Sequence, residues 1–181
     1  NYPFGITTDG TNLYVGDGLN HMIRKIVIST GAVTTLAGST SSGSTDATGT
    51  SARFKYPRGI TTDGTNLYVV DTNNHTIRKI VISTGAVTTL AGSSAGFADG
   101  AGTAASFNNP FGITIDGTNL YVADYSNHNI RKIALRATLT ADVKLHNLDD
   151  DTDATVNLAS SDTGEATVSP ATLTFTKDNW N

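Results

Sequence analysis

Cysteine is absent from the 181-residue sequence, which excludes disulfide bonds and thiolate metal sites. Packing and backbone pairing must therefore hold the fold together. The sequence has one methionine, few glutamates and lysines, and no segment with the 3.6-residue apolar period of an amphipathic helix, which argues against long helices. No run approaches the roughly 20 apolar residues of a membrane span, and the first residues carry no basic and apolar signal segment. We expect a chain without a membrane span that is processed or is part of a longer protein.

An 11-residue stretch that occurs three times is the dominant feature of the sequence. The letters GITTDGTNLYV fill residues 5–15, recur unchanged at 59–69, and return with one substitution at 112–122. A second stretch, IRKIVISTGAVTTLAGS, is identical at residues 23–39 and 77–93. Self-similarity at this period indicates supersecondary units that stack on their neighbours.

Each copy has the pattern of four short antiparallel strands. In the second copy we expect strands at residues 59–62, 66–70, 76–83 and 86–91, because β-branched residues and tyrosine alternate with turn residues there. Asp63-Gly64 suits a tight hairpin, since glycine adopts positive φ without steric cost. Four antiparallel strands per repeat predict the blades of a β-propeller.

Several positions around these strands recur in all three copies. They comprise a proline, a Tyr-Val pair, an aspartate, an Asn-His pair and the letters IRKI, at residues 57–80 in the second copy. This pattern resembles the NHL repeat, and the resemblance covers residues 2 to about 135. It implies a β-propeller that acts as a binding platform, whereas a minority of related propellers are lyases or hydrolases.

The chain departs from a complete propeller in having three copies, of which the third stops at Ile133 without its fourth strand. Propellers typically close with four to eight blades, and an open array leaves exposed strand edges. Two explanations stay open: the chain is a fragment of a larger protein, or neighbouring chains, such as further copies of itself, supply the missing strands.

Residues 136–181 differ in charge and in pattern. They hold three Lys/Arg and eight Asp/Glu, whereas residues 1–135 hold nine and eight, and this shift predicts a domain boundary near Leu135. Short alternating strands are expected at 141–145, 154–160, 165–168 and 172–176. The segment resembles the immunoglobulin-like or Calx-β-like β-sandwich modules of bacterial surface proteins. The predicted fold class is thus all-β, with a partial propeller at 1–135 and a partial sandwich at 136–181.

Histidines and aspartates that recur once per repeat are the attractive catalytic candidates. A catalytic site needs different groups at one reacting atom, whereas equivalent residues of successive blades lie far apart. We therefore expect the Asn-His pairs to close loops by bonding backbone groups. Asp71 and its equivalents each lie seven residues before an arginine, which favours a cross-strand ion pair or a carboxylate that accepts loop amides. No catalytic residue is predicted.

Ligand binding in a repeat protein is expected where the copies differ. Phe4, Arg58 and Phe111 occupy one variable position, just before the innermost strand, and Tyr125 occupies another on a hairpin loop. Both positions are expected at the rim of the ring, and surface drift is the alternative reading of their variation. The connecting stretches 39–55 and 93–108 are long, but the repeated Ala-x-Phe at Phe54 and Phe107 predicts ordered crossings held by buried rings.

A metal is expected at one place at most. Asp149, Asp151 and Asp153 stand at alternate positions, as at the start of a calcium loop. The glycine expected at position 154 is an alanine, and no acidic residue follows in register, so a solvated turn is the alternative. No other cofactor is predicted.

The net charge and the motifs of the sequence argue against several classes of function. Residues 1–135 carry a net charge of +1, which argues against nucleic-acid binding. No phosphate loop, nucleophile elbow or zinc-protease motif is present in the sequence. We expect a non-catalytic extracellular or cell-surface scaffold of bacterial type that binds proteins or glycans or assembles with itself. The competing class is a metal-dependent propeller lyase or hydrolase.

Overall fold

A computed structural model of the protein describes residues 2–135, 154–157 and 172–175. The chain divides into two compact units, Asn1–Ala134 and Leu135–Asn181. Within the described ranges there is no α-helix, and helical turns occur as 3-10 segments of three residues. None of the helical segments in these ranges is long and apolar enough to cross a membrane.

Three antiparallel sheets make up the described part of the first unit, and we refer to them as the first, second and third blades. The first two blades have four strands each, in sequence order, and the third has three. The strands of the first blade are β1 (Pro3–Thr8), β2 (Asn12–Asp17), β3 (Met22–Val27) and β4 (Val33–Gly38). Those of the second are β5 (Pro57–Thr62), β6 (Asn66–Asp71), β7 (Thr76–Val81) and β8 (Val87–Ala91), and those of the third are β9 (Ile113–Ile115), β10 (Asn119–Asp124) and β11 (Asn129–Ala134).

This architecture confirms the all-β, propeller-type prediction, and within the described residues the third blade has three strands. The predicted strands of the second copy lie within one to two residues of those observed at nearly every boundary. The largest difference at a strand start concerns the innermost strand, which was expected from residue 59 and begins at Pro57. Arg58, and by the same shift Phe4, therefore lies inside a strand and not before one.

The hairpin turns between the first two strands of each blade are built around an aspartate. The Asp63 carboxylate accepts hydrogen bonds from the backbone amides of Thr65 and Asn66 at 2.8 and 2.6 Å, and from the Tyr68 hydroxyl at 2.8 Å. Gly64 has φ of +88°, which a side chain would disfavour. An aspartate that accepts amides two and three residues later is an Asx-type turn, so the sequence Asp-Gly-Thr-Asn specifies this conformation.

The innermost strands of the three blades lie side by side, with β1 against β5 and β5 against β9. Glycine makes this approach possible. A Cβ atom on Gly5 would collide with the carbonyl oxygen of Arg58, and one on Gly59 with that of Phe111. The Gly59 amide also donates to the Phe111 carbonyl at 3.1 Å. The residue before each of these glycines is thereby brought next to its equivalent in the adjacent blade.

The two crossing segments, residues 39–55 and 93–108, carry the aromatic side chains that fill the space between blades. Phe54 is fully buried and Phe107 is 1% exposed, which confirms that these rings hold the crossings in place. Phe54 packs in a core with Ile23 of the first blade and Ile80 of the second. Burial of a phenylalanine ring contributes about 2–3 kcal/mol, so each crossing adds substantially to the contact between blades.

Equivalent residues of the three blades differ in exposure according to their neighbours. Ile60 of the second blade is 6% exposed, whereas its equivalent Ile6 is 60% exposed. Ile23 and Ile77 are fully buried, whereas their equivalent Ile130 in the third blade is 70% exposed. An apolar position is thus buried where a neighbouring blade or crossing packs against it. The same position is exposed to solvent where no described residue packs against it.

Two short strands are described in the second unit, β12 (Ala154–Asn157) and β13 (Thr172–Phe175). They pair antiparallel, with Ala154 opposite Phe175. Both coincide with strands expected from the sequence. The expected strands at 141–145 and 165–168 lie outside the described residues, and the sandwich module stays a prediction.

Candidate ligand-binding site

The side chains at the two variable positions that the sequence singled out come together at one end of the inner strands. The Phe4 and Phe111 rings meet edge to face at 6.2 Å between centroids, and the Phe111 and Tyr125 rings are 6.2 Å apart. Arg58 lies between Phe4 and Phe111. Phe4, Arg58, Phe111 and Tyr125, which belong to three consecutive blades, therefore form a continuous surface.

Two further tyrosines extend this surface, and sequence reasoning missed both. Tyr2 stacks on Phe4 with centroids 6.4 Å apart, and Tyr56 lies 5.4 Å from Phe4. We call the six residues Tyr2, Phe4, Tyr56, Arg58, Phe111 and Tyr125 the aromatic–arginine cluster. The signal that could have found them is the aligned column Tyr2, Tyr56 and Asn109, which varies between copies and directly precedes the recurring proline.

The backbone is strained at both of these tyrosines. Tyr2 has φ of 55° and Tyr56 has φ of 62°, in the left-handed region that costs a residue with a Cβ roughly 1–2 kcal/mol. Such conformations persist where the surroundings determine them, and they concentrate at functional sites. Here they direct two phenol rings onto the same surface as the phenylalanines of the inner strands.

Arg58 is the centre of the cluster. Its guanidinium carbon lies 4.9 Å from the centroid of Phe4, 4.6 Å from that of Tyr56 and 4.4 Å from that of Phe111. Each contact of this kind contributes about 0.5–2 kcal/mol, depending on how dry it is. Its Nε–H is buried and, within the described part of the chain, has no acceptor. The two Nη groups, which are not among the buried unbonded atoms, likewise have no acceptor in these ranges, so the cluster presents a cation held among rings whose terminal N–H groups can still donate.

The hairpin position of Tyr125 varies between copies, but only the third copy adds a ring there. In the second copy Thr72 is buried, and its hydroxyl donates to the Pro110 carbonyl at 2.9 Å. In the first copy a Cβ on Gly18 would meet the Phe4 ring at 2.9 Å. Tyr125, in contrast, is 68% exposed at the edge of the cluster.

The recurring aspartate and arginine of the second blade form a buried structural pair. Asp71 and Arg78 are fully buried, and the guanidinium Nη1 lies 2.9 Å from the carboxylate Oδ2. Asp71 also accepts the Lys55 amide at 2.7 Å and the Asn74 side chain at 2.7 Å. Burial raises the pKa of Asp71 to about 6, against the effect of these donors, so the carboxylate is ionised at neutral pH. The predicted ion pair and the predicted contacts with loop amides are both present.

The pair also fastens the preceding crossing to the blade. Arg78 donates to the carbonyl oxygens of Arg53 and Thr45 and forms an ion pair with Asp46 at 2.5 Å. The third blade repeats this arrangement, with Arg131 between Asp124 at 3.3 Å and Asp99 at 2.6 Å. These aspartates and arginines therefore join blades and crossings.

The recurring histidines also connect neighbouring repeats. His21 and His75 have φ of 57° and 58°, and each Nδ1 accepts a backbone amide from the residue directly after the following crossing, from Tyr56 at 3.2 Å and from Asn109 at 3.1 Å. Burial and the nearby charge of Lys55 lower the pKa of His75, which favours the neutral imidazole, and the Asn109 amide selects the tautomer in which Nδ1 accepts. The expected backbone bonding is present, but it reaches the residue after the following crossing and not the histidine's own loop.

The asparagine of each Asn-His pair binds the recurring aspartate and, in two copies, the preceding crossing. Asn74 donates to the Gly43 carbonyl at 2.7 Å, and Asn127 donates to the Gly96 carbonyl at 2.7 Å. Sequence reasoning placed these bonds inside the hairpin loop, because it had no means of knowing that the crossing returns past that loop. The Asn-His pairs are structural residues.

Metal-ligating groups do not cluster in the described residues: no three His, Cys, Asp or Glu side chains are placed there to hold an ion. The calcium candidates Asp149, Asp151 and Asp153 lie outside the described part of the chain. The calcium hypothesis stays a prediction from the sequence.

Comparison with known families and sequences agrees with the repeat pattern. Residues 54–80 match the NHL repeat family model. The NHL repeat-containing protein 2 of Homo sapiens is 38% identical over 142 residues, which are 71% of this chain and 20% of that protein. The chain thus spans about a fifth of the length of this curated relative.

Solved structures show the same arrangement of blades. An auxiliary nutrient binding protein from Bacteroides ovatus matches 69% of this chain and 35% of its own length, with a TM-score of 0.61 and 29% identity. A second protein of that description, from Bacteroides thetaiotaomicron, matches 71% of this chain and 36% of its own length, with a TM-score of 0.59 and 25% identity. The chain corresponds to about a third of each.

Proposed function

We propose, on the premise that the three sheets are blades of an NHL-type β-propeller, that the protein is a non-catalytic binding scaffold. The observation that carries the proposal is the aromatic–arginine cluster. Its side chains come from three blades and converge on one surface, although the positions that supply them differ from copy to copy. Residues that only build the blade recur in all three copies, whereas each position of the cluster changes in at least one copy.

The chemistry of the cluster suits ligand binding better than catalysis. Tyrosine and arginine are enriched among the residues that dominate binding energy, because large amphipathic side chains provide contact area together with hydrogen bonds. The Phe4 and Phe111 rings are each 38% exposed in a single patch. A contiguous exposed apolar patch on a protein surface marks an interaction site more often than chance exposure does. The cluster offers rings and one cation for holding a ligand.

A protein or glycan ligand at the bacterial cell surface or outside the cell is the setting we propose. Support comes from the two Bacteroides proteins of similar fold, which are described as nutrient binding. The immunoglobulin-like character expected for residues 136–181 points to the same setting.

Binding can be tested by screening immobilised glycans and proteins with the 181-residue chain and with the double variant Phe4→Ala, Phe111→Ala. We expect the double variant to bind the selected ligand at least about tenfold more weakly, since two rings of the surface are lost. Phe97→Ala is the matched control, because Phe97 is an exposed phenylalanine, 60% accessible, that stacks on Arg131 in another part of the chain. Equal binding by the wild type and the double variant would exclude this surface.

Self-association is a second candidate, favoured by the exposure of Ile6 and Ile130. Both positions are apolar and exposed by 60% and 70%, and their equivalents in the second blade are buried against a neighbouring repeat. Another copy of the chain presents matching faces. A solution mass well above 18.8 kDa that falls to that value in an Ile6→Lys, Ile130→Lys variant would support assembly, and a monomeric wild type would refute it.

A further inference from the structure

We propose that the aromatic–arginine cluster recognises a carboxylate carried on a sugar ring, as in a glycan that contains uronic acid. The inference rests on the proposed binding function and adds the chemical class of the ligand. Arg58 would bind the carboxylate, and the surrounding rings would pack against the face of the sugar.

Arg58 differs from Arg78 and Arg131 in the groups that its guanidinium contacts. Arg78 and Arg131 each have two carboxylate partners and accepting carbonyl groups. Arg58 contacts three aromatic rings, and in the described ranges no carboxylate or carbonyl oxygen accepts from its guanidinium. Arginine has five N–H donors in a fixed fork. A stacked arginine with its donors unused is a site prepared for an acceptor.

The aspartates of residues 2–135 already have hydrogen-bond or ion-pair partners. Among residues 2–135, every aspartate contacts an arginine, an asparagine or turn amides, and no ion pair joins any of them to Arg58. Those bound to arginines are Asp46, Asp71, Asp99 and Asp124, those in turns are Asp9, Asp63 and Asp116, and Asp17 accepts from Asn20. The positive charge of Arg58 is therefore available to an external anion.

The guanidinium geometry of Arg58 favours a planar anion. Contact with three rings restrains the guanidinium group, so less entropy is lost when it binds a planar acceptor in a bidentate manner. A carboxylate matches this geometry, and charge-assisted hydrogen bonds of this kind are about twice as strong as neutral ones. Arg58 is partly buried, which reduces the screening of its charge by solvent.

The aromatic residues around Arg58 determine what the rest of the ligand should be. The partly exposed rings of Phe4 and Phe111 favour a weakly polar surface, and the exposed residues Tyr2 and Tyr125 carry phenols that can donate and accept hydrogen bonds at its edges. A sugar ring has both an apolar face and hydroxyl groups at its periphery. An aromatic acid would leave the phenols unused, and an acidic peptide would leave the rings without a flat partner.

The test is calorimetric titration of the full chain with three probes: trigalacturonate, a neutral galactose trisaccharide of the same length, and an acidic hexapeptide. We expect trigalacturonate to bind at least about tenfold more tightly than the neutral trisaccharide, because only the acid bonds to Arg58. Arg58→Gln is expected to remove this preference. Arg58→Lys keeps the charge but loses the planar fork, so most of the preference should be lost as well.

Lys132→Gln is the control, because it removes the same charge from an exposed position on β11. It should leave the preference intact, and thermal melts of all variants establish that they are folded. Equal binding of both trisaccharides would overturn the carboxylate inference and leave glycan binding standing. Binding of the hexapeptide alone would overturn the inference in favour of a protein partner. Failure of all three probes, with a different ligand found by screening and lost in Phe4→Ala, Phe111→Ala, would overturn this inference but not the binding function.

Discussion

Asp71 is the residue on which the contacts of the second blade most depend. Its carboxylate accepts from Arg78, Asn74 and the Lys55 amide without exposure to solvent. Removal of the acid leaves a buried guanidinium without this partner, which typically costs 3–5 kcal/mol. Although the recurrence of this aspartate resembles that of a metal ligand, its partners in the structure are nitrogen donors.

The first prediction follows for Asp71→Ala. At pH 7.5 the free energy of unfolding should fall by about 3–5 kcal/mol, with no change in bound metal. Asp99→Ala is the control, because that side chain is 93% exposed beside Arg131 and its loss should cost no more than about 1 kcal/mol. Chemical denaturation and metal analysis check both statements. An unchanged stability together with loss of a metal would show that Asp71 is a ligand.

A second prediction concerns the turn aspartates. Burial alone raises the pKa of Asp63, but hydrogen bonds from Asn66, Thr65 and Tyr68 outweigh it and lower the pKa below its usual value. A lowered pKa means that the stabilising contribution is present above about pH 4 and is lost as pH falls below that value. Asp63→Asn should therefore lower the melting temperature by roughly 2–4 °C at pH 7 and by a smaller amount at pH 2.5.

Thermal melts of the wild type and Asp63→Asn across this pH range measure the difference. Thr65→Ser is a suitable control, because its amide remains in the turn and only a methyl group is removed. A difference between wild type and Asp63→Asn that stays constant from pH 7 to pH 2.5 would contradict the ionised turn.

At the scale of elements, the crossing segments decide how the blades associate. Each carries a phenylalanine between two sheets, and each is fixed by the arginine of the blade that follows. The rings also stack on those arginines, with Phe54 5.1 Å from Arg78 and Phe107 5.3 Å from Arg131. Segments that are rich in glycine, serine and alanine are thereby ordered by a few side chains.

The third prediction is that Phe54→Ala lowers the free energy of unfolding by about 3–5 kcal/mol, the usual cost of deleting a buried aromatic ring. Phe107→Ala should behave similarly. Phe97→Ala, in which an exposed ring of the same type is removed, should have a small effect. Denaturant melts of the three variants make the comparison, and a loss for Phe54→Ala as small as that for Phe97→Ala would show that the Phe54 ring does not connect the blades.

The elements themselves were largely predictable from the sequence, for a physical reason. Strand alternation and the Asp-Gly turns are local signals, and the occurrence of Ala-x-Phe in both crossings made Phe54 and Phe107 visible against a variable background. The cluster was only partly predictable. Variation between copies identified Phe4, Arg58, Phe111 and Tyr125, but Tyr2 and Tyr56 depend on a left-handed backbone that tyrosine does not signal. Arg58 lies between rings because the inner strands pack closely together. This is a tertiary effect, which local sequence does not signal.

At the scale of the whole molecule, stability should be graded along the array. In repeat proteins, the stability of a unit is the sum of its own contribution and those of its interfaces. The second blade has described neighbours on both sides, whereas Ile6 and Ile130 are exposed on the outer faces of the first and third blades. The array is therefore expected to open from its outer blades.

The fourth prediction is that backbone amides of β6 exchange with deuterium more slowly than those of β2 and β10. These strands occupy equivalent central positions in their blades, so that the comparison isolates the effect of neighbours. Mass spectrometry of peptides from each blade measures the rates. Equal protection of β2 and β6 in a monomeric sample would mean that the three blades unfold as one cooperative unit.

Phe54 lies in a crossing and not in a strand. This determines which residues together form one transferable repeat. A sheet excised as residues 57–91 would leave its ring behind. Residues 54–106, in contrast, begin with one ring and end just before the next, and they retain Asp71, Arg78 and the following crossing. A duplicate of this segment inserted after Ser106 would carry its own spacer, so the array could be lengthened by one blade without redesign of any interface.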